Sequence, residues 1–297
     1  MTKSTLKERL HAGEILVSDG ATGTNLQKRG LPHGVTAEQW VLEEPEQIQR
    51  LYSDFISAGS DIILTCTFGA SPIRLEHAGM PGKTEEINLQ AAELAHKAAT
   101  GTSVLIAGSI GPSGQMLKPL GLVEFDEARA SFAQQAKALE DGGVDFLLIE
   151  TQFDINEATA AIQGAQSATK LPIICSFSYD RGVRTMMGVK PKQMAKAITP
   201  LGVIALGINC GRSLDENLAC LKELKENTDL PIWFKPNAGM PELDENNQPI
   251  YSVGPDNMGS NVPSWIEAGA RIIGGCCGNS PEHVQSIANA VKNFQAK

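Results

Sequence analysis

Residues 270–280 read ARIIGGCCGNS, and residues 203–213 read VIALGINCGRS. Each is a short aliphatic run that closes in small residues and thiols, and a run of that length reads as a buried strand with its chemistry at the loop end. Six similar runs precede or separate them: EILVSDG at 14–20, SDIILTCTFG at 60–69, SVLIAGSIG at 103–111, VDFLLIET at 144–151, LPIICSFS at 171–178 and LPIWFKPNAG at 230–239. Between the runs lie segments such as PEQIQRLYSDFISAG, KTEEINLQAAELAHKAAT, EARASFAQQAKALEDGG and SPEHVQSIANAVKNF. Their apolar positions repeat every three and four residues, the pattern of helices that lay one face on a sheet. Eight strand and helix units in 297 residues favour a closed (β/α)8 TIM-type barrel, one α/β domain spanning residues 1–297. An open doubly wound sheet is the alternative.

The formal charge is −9 and no run of Lys or Arg occurs, so the basic stripe that nucleic-acid binding needs is missing. The amino terminus, MTKSTLKERLHAGEILVSDG, has no long apolar core, and no apolar stretch reaches the length that spans a bilayer. A cytoplasmic protein without membrane or nucleic-acid partners is expected. Six cysteines are too sparse for a disulfide scaffold, and a reducing compartment would leave thiolates free to take a metal. No Pro- or Ser-rich linker divides the chain. Two segments that follow strand ends, 21–47 and 240–260, are longer than simple connections. The carboxyl-terminal face of a barrel carries its active site, so both are expected to form site walls.

In a barrel the sixth, seventh and eighth strands are neighbours, which brings Cys210, Asn237 and the Cys276-Cys277 pair together. Three grouped thiols suit a catalytic zinc, which keeps three protein ligands and an open fourth position. The plainer alternative is that they are small buried hydrophobes. Three thiolates make a soft, electron-rich centre better suited to activating a thiol substrate than to making hydroxide. Asp19 and Gly20 end the first strand, and Glu150 ends the fourth in an apolar setting. A buried carboxylate needs a cation, which could be the α-ammonium of an amino acid or an internal partner such as Lys235. The small residues of TCTFG could offer backbone N–H groups to a carboxylate. Lys235 also opens a different reading, a lyase or aldolase working through a Schiff base. Cys66, Cys175 and Cys220, the five histidines, and Met186 and Met187 carry no second signal. GSIGPSGQ at 108–115 reads as a strand-end turn, since it has neither dinucleotide glycine spacing nor a Walker lysine.

Taken in order, DGATGTNLQKRG, GSDIILTCTFGAS, IAGSIGPSG, LLIET, LGINC, PNAG and GGCCGNSPEHV resemble the zinc-dependent homocysteine S-methyltransferases. The resemblance spans nearly the whole chain and is greatest to the homocysteine-binding module of cobalamin-dependent methionine synthases. It implies that Cys210, Cys276 and Cys277 bind zinc, and that Asp19, Gly20 and Glu150 hold the amino-acid end of homocysteine. Asn237 is implied as a fourth ligand or a close contact before substrate arrives. Homocysteine would displace that fourth ligand, lose its thiol proton on zinc and attack a methyl group in line, giving methionine. In methionine synthases folate, cobalamin and activation modules follow, none of which this sequence contains. The expected methyl source is therefore cobalamin carried on a separate corrinoid protein. S-methylmethionine or a betaine-type compound is the alternative. Betaine-using relatives carry tyrosine where this chain has Gly69 and Thr151, which weakens an aromatic cage. A subunit that presents the thiol without completing transfer is the remaining alternative.

Overall fold

The computed structural model describes residues 3–243 and 249–296. Its barrel strands are β1 (Leu16–Val17), β2 (Ile62–Leu64), β3 (Leu105–Ile110), β4 (Phe146–Gln152), β5 (Ile173–Phe177), β6 (Ala205–Cys210) and β7 (Ile232–Pro236). A hairpin of β8 (Pro241–Leu243) and β9 (Pro249–Tyr251) follows, and β10 (Ala270–Ile273) completes the set. The barrel strands run in the order β1, β10, β7, β6, β5, β4, β3, β2, and every pairing among them is parallel. The last seam closes between β1 and β2. Ser18 bridges Ile62 there, the Asp61 N–H donates to the Val17 carbonyl at 2.7 Å, and the Asp19 N–H donates to the Ile62 carbonyl at 3.0 Å. Closure decides for the (β/α)8 barrel over the open sheet. The run at 14–20 contributes only two ladder residues, because the Asp61 carboxylate takes the Val17 N–H at 2.9 Å.

Helices clothe the barrel as the three-and-four spacing requires. Pro45–Ser57 starts with proline at its first turn, where no N–H is needed, and buries Ile48, Leu51, Tyr52 and Phe55 along one stripe. Full burial of each such side chain contributes about 1.5–3 kcal/mol. Ile155–Ala168 starts on Asp154, whose carboxylate accepts the N–H groups of Asn156 and Glu157. No helix among the described residues is long and apolar enough to cross a membrane.

Two apolar cores result, one between helices and strands and a smaller one inside the barrel. The inner core joins Leu16, Leu105, Phe146, Leu148, Trp233 and Ile272 to Leu6, which a short helix, Leu6–His11, inserts from the amino-terminal end. Thr5 and Glu8 form a capping box that fixes the start of this helix. Side chains on one strand face recur every second residue. The inward series therefore runs Leu105, Ala107, Ser109 on β3; Phe146, Leu148, Glu150 on β4; and Trp233, Lys235 on β7. At the carboxyl-terminal end it turns polar, and Ser109, Glu150, Ser176, Asn209 and Lys235 are all buried. Hydrocarbon fills the lower barrel and a polar layer closes the top.

The segment 21–47 folds into two helices, Thr22–Lys28 and Ala37–Glu43. Within 240–260 the β8–β9 hairpin stands after β7, while residues 244–248 lie outside the described residues.

Candidate metal centre

Cys210 ends β6, and Cys276 and Cys277 follow β10, so the two strands that flank β7 deliver three thiols to one patch. Their sulfurs lie within 4.8 Å of one another, with Cys210 Sγ 2.9 Å from Cys276 Sγ. Zinc–thiolate bonds of about 2.3 Å place tetrahedral sulfurs about 3.8 Å apart, so the set fits a zinc ion once the Cys210 and Cys276 sulfurs, now 2.9 Å apart, open by a little under 1 Å. Without a metal the three cannot all ionise. Hydrogen bonds with Cys276 and Cys277, together with burial, drive the Cys210 thiol well above the ordinary range. For Cys276 the Cys210 hydrogen bond favours the thiolate, but donation to Cys277, burial and the Cys277 charge outweigh it and push the group up to about 12. Cys277, which accepts from the other two thiols, is held well below the ordinary value. Mutual repulsion opposes three charges on the bare cluster, and a divalent cation is what would hold them.

Asn237 lies on this patch. Its Oδ1 accepts the Cys277 N–H at 3.0 Å and its Nδ2 donates to the Gly211 carbonyl at 2.8 Å, tying the loops after β6 and β10 together. Tyr251, which the sequence reading did not single out, comes from β9 and covers Gly278. Gly278 has φ +82°, and a Cβ there would sit 2.3 Å from the Tyr251 ring, so only glycine allows the approach. Burial, followed by the neighbouring thiols, pushes the Tyr251 hydroxyl pKa up.

Below the thiols lies the polar layer. Lys235 Nζ donates to Asp19 Oδ1 at 2.6 Å, with side chains 3% and 1% exposed. Asp19 also accepts the Leu64 N–H on its other oxygen at 2.7 Å, so one carboxylate spans β1, β2 and β7. Burial works against the charge on Lys235, but Asp19 and Glu150 outweigh it and raise its pKa. A Schiff-base lysine needs a depressed pKa, so the aldolase reading loses its nucleophile. Gly20 is a close-approach position, since a Cβ would meet the Asn279 carbonyl at 2.6 Å and the Phe55 ring at 2.7 Å.

Lys235 therefore serves Asp19, and Glu150 makes no ion pair among the described residues. Among the described residues its carboxylate accepts one hydrogen bond, from Ser109 Oγ at 2.6 Å. Burial is the main reason its pKa rises from 4.5 to about 7, with Cys276 adding to the shift and Lys235 opposing it. The proton is thus bound more tightly in the folded state. Stability from this group is complete below about pH 4.5, falls as pH rises to about 7 and is flat above, a loss of about 3 kcal/mol. Glu150→Gln should therefore melt higher than the parent protein above pH 7 and lose that pH dependence, while binding of an ammonium-bearing ligand weakens. Equal melting curves across pH 5–8 would contradict the buried acid.

Four of the five N–H groups of TCTFG are already engaged, that of Thr67 with the Thr65 carbonyl at 2.9 Å. Those of Thr65 and Cys66 donate to the Ala107 carbonyl and Tyr52 Oη, and that of Gly69 donates to Glu38 Oε1 at 2.6 Å. The GSIGPSGQ turn is a connection as read, with Ser113 donating through its N–H and hydroxyl to the buried Glu157. Among the described residues two that are not glycine have left-handed φ, Thr151 at φ +58° and Cys210 at φ +60°. Each costs of order 1–3 kcal/mol, and such strain collects at functional sites.

A strand-end site with three grouped thiols above a buried acid layer is a barrel enzyme's active-site face with a cluster that could hold a soft metal. The homocysteine S-methyltransferase profile matches residues 16–291, and the chain belongs to that family of methyltransferases. The methionine synthase of Mycobacterium leprae is 28% identical over 94% of this chain and 24% of its own length, and that of Mycobacterium tuberculosis is 28% identical over 95% and 25%. The chain thus spans about a quarter of these curated relatives. The homocysteine methyltransferase MmuM from Escherichia coli in its metallated form is 26% identical, with a TM-score of 0.81 over 96% of this chain and 99% of that one. The apo form of MmuM gives a TM-score of 0.74.

Proposed function

We propose that this protein methylates the sulfur of homocysteine to give methionine, using zinc held by Cys210, Cys276 and Cys277 and a methyl group delivered by a methylcorrinoid protein. The observation that carries the reading is the three-thiol cluster set above Glu150, a buried carboxylate with no ion pair among the described residues. Glu150 is the natural partner for the α-ammonium of the substrate, and Asp19 and Gly20 shape the same end of the pocket. Asn237 holds the two cysteine loops in register beside the position the substrate sulfur would take. A bound zinc supplies the Lewis acidity that keeps the substrate thiol ionised at neutral pH. The polar layer fixes the amino-acid end so that its sulfur faces the donor, and such positioning supplies much of the rate.

A protein-borne donor is supported by the surface. Among the described residues the exposed large apolar side chains are Phe68, Leu120, Leu122, Met186, Met240, Leu243 and Ile250. All of them lie on connections that follow the carboxyl-terminal ends of β2, β3, β5 and β7. Apolar residues ringing one face suit a protein partner. A second reading is a small sulfonium donor such as S-methylmethionine, and the match to nearly the whole chain of the homocysteine methyltransferase MmuM is compatible with it.

The test offers zinc-loaded protein and homocysteine with a methylcorrinoid protein, S-methylmethionine, betaine or methyltetrahydrofolate, and measures methionine. Turnover with the methylcorrinoid protein is expected. Leu122→Asp, at a residue 88% exposed, should raise KM for that protein and leave any small-donor rate unchanged. Turnover with S-methylmethionine alone would select the second reading, and homocysteine binding without turnover would indicate a thiol-presenting subunit.

A further inference from the structure

Asn209 occupies an inward position at the top of β6 and is completely buried, with every hydrogen-bonding capacity of its amide engaged. Oδ1 accepts the Thr151 N–H at 2.9 Å and the Ser176 hydroxyl at 2.6 Å. Nδ2 donates to Thr151 Oγ1 at 2.7 Å and faces two sulfurs, Cys210 Sγ at 3.5 Å and Cys276 Sγ at 4.0 Å. The orientation of this amide is not a free choice. A backbone N–H can only donate, so Thr151 fixes the oxygen on its own side and thereby turns the NH2 group toward the sulfurs.

Both neighbours of this side chain are the strained positions. Thr151 follows Glu150 directly, Cys210 follows Asn209 directly, and each has left-handed backbone. One buried amide therefore holds the β4 end that carries the substrate-facing carboxylate and the β6 end that carries a thiol ligand, reaching past β5 through Ser176. Hydrogen-bond donors to ligand sulfurs fix ligand orientation and withdraw electron density from a thiolate. A centre with three thiolates is electron-rich, and an N–H shared between two of them leaves it better able to accept a fourth.

We propose that Asn209 is the positioning residue that couples the amino-acid pocket to the metal centre, by locking the Thr151 and Cys210 backbones together and donating N–H to the Cys210 and Cys276 sulfurs. The proposal rests on the zinc reading above, and the experiment separates the two. Zinc affinity is measured by chelator competition on the full chain, the thiolate-to-metal charge-transfer band on the Co(II)-loaded chain, and KM and kcat for homocysteine on the zinc form. Asn209→Ala should lower zinc affinity about ten- to a hundredfold, the range for lost outer-shell partners, shift the Co(II) band and raise KM for homocysteine. Thr151→Ala, which removes the hydroxyl and leaves the metal ligands untouched, should move affinity and band in the same direction by a smaller factor. Thr151→Ser, which keeps the hydroxyl, should restore both. Wild-type zinc affinity with an unshifted band in folded Asn209→Ala would overturn the proposal. If that variant does not fold, the same result in Thr151→Ala would overturn it. Failure of the parent protein to retain zinc would instead defeat the metal reading itself.

Discussion

Cys276→Ala will leave a folded barrel that retains no zinc and forms no methionine. The backbone of Cys276 makes the structural bonds of its loop, its N–H to the Pro236 carbonyl at 2.9 Å and its carbonyl to the Asn279 amide at 3.1 Å, and alanine keeps both. What is lost is the sulfur 2.9 Å from Cys210. Structural zinc sites bind with about 10–16 kcal/mol shared among four ligands, so one ligand is worth on the order of 3 kcal/mol, or roughly a hundredfold in affinity. Zinc content after gel filtration against a chelator and a thermal melt read the two halves of this outcome. Cys220→Ala, at a buried cysteine on helix Leu214–Lys225, is the control and should cost packing but no metal. Equal zinc retention by Cys276→Ala and the parent protein would remove Cys276 from the site.

Lys235→Met will be the most destabilising substitution in the polar layer, at about 3–5 kcal/mol, the usual cost of leaving one member of a buried pair alone. At about 2–4 °C per kcal/mol the melting temperature should fall by about 6–20 °C near pH 8. Burial already raises the Asp19 pKa against the pull of Lys235, and losing the lysine leaves only the Leu64 N–H and the Ser18 hydroxyl to oppose it. A carboxylate with a raised folded-state pKa is least costly when protonated, so the loss should shrink as pH falls. Adding Asp19→Asn removes the stranded charge, and the double variant should recover most of the stability lost by the single one. Melting within 2 °C of the parent protein at pH 8 would show that the pair does not hold the barrel seam.

The strands were legible because long aliphatic runs such as IIL at 62–64 and FLLI at 146–149 can be satisfied only by burial. The thiol site was legible because soft ligands at two similar strand ends form an uncommon pattern. The partnership of Lys235 was not legible in detail. Asp19 lies 216 residues away, and its selection over Glu150 depends on barrel closure and register, which no local pattern encodes. Asn209 shows in the sequence only as one amide in the run ALGIN. Its meaning comes from Thr151 and Ser176, 58 and 33 residues distant on other strands. The TCTFG amides looked available because a sequence does not display the Tyr52 hydroxyl and Glu38 carboxylate that arrive from other segments.

Leu6 and the hydrocarbon packed above it fill the amino-terminal half of the barrel, so Glu150 can be approached only from the carboxyl-terminal face. Anything bound with its charged end at Glu150 lies deepest and passes the sulfurs on the way in. Traffic through a single doorway is first in, last out. On the proposed reading, an amino acid lodged there would be covered by whatever brings the methyl group, and its product would leave only after that visitor had gone.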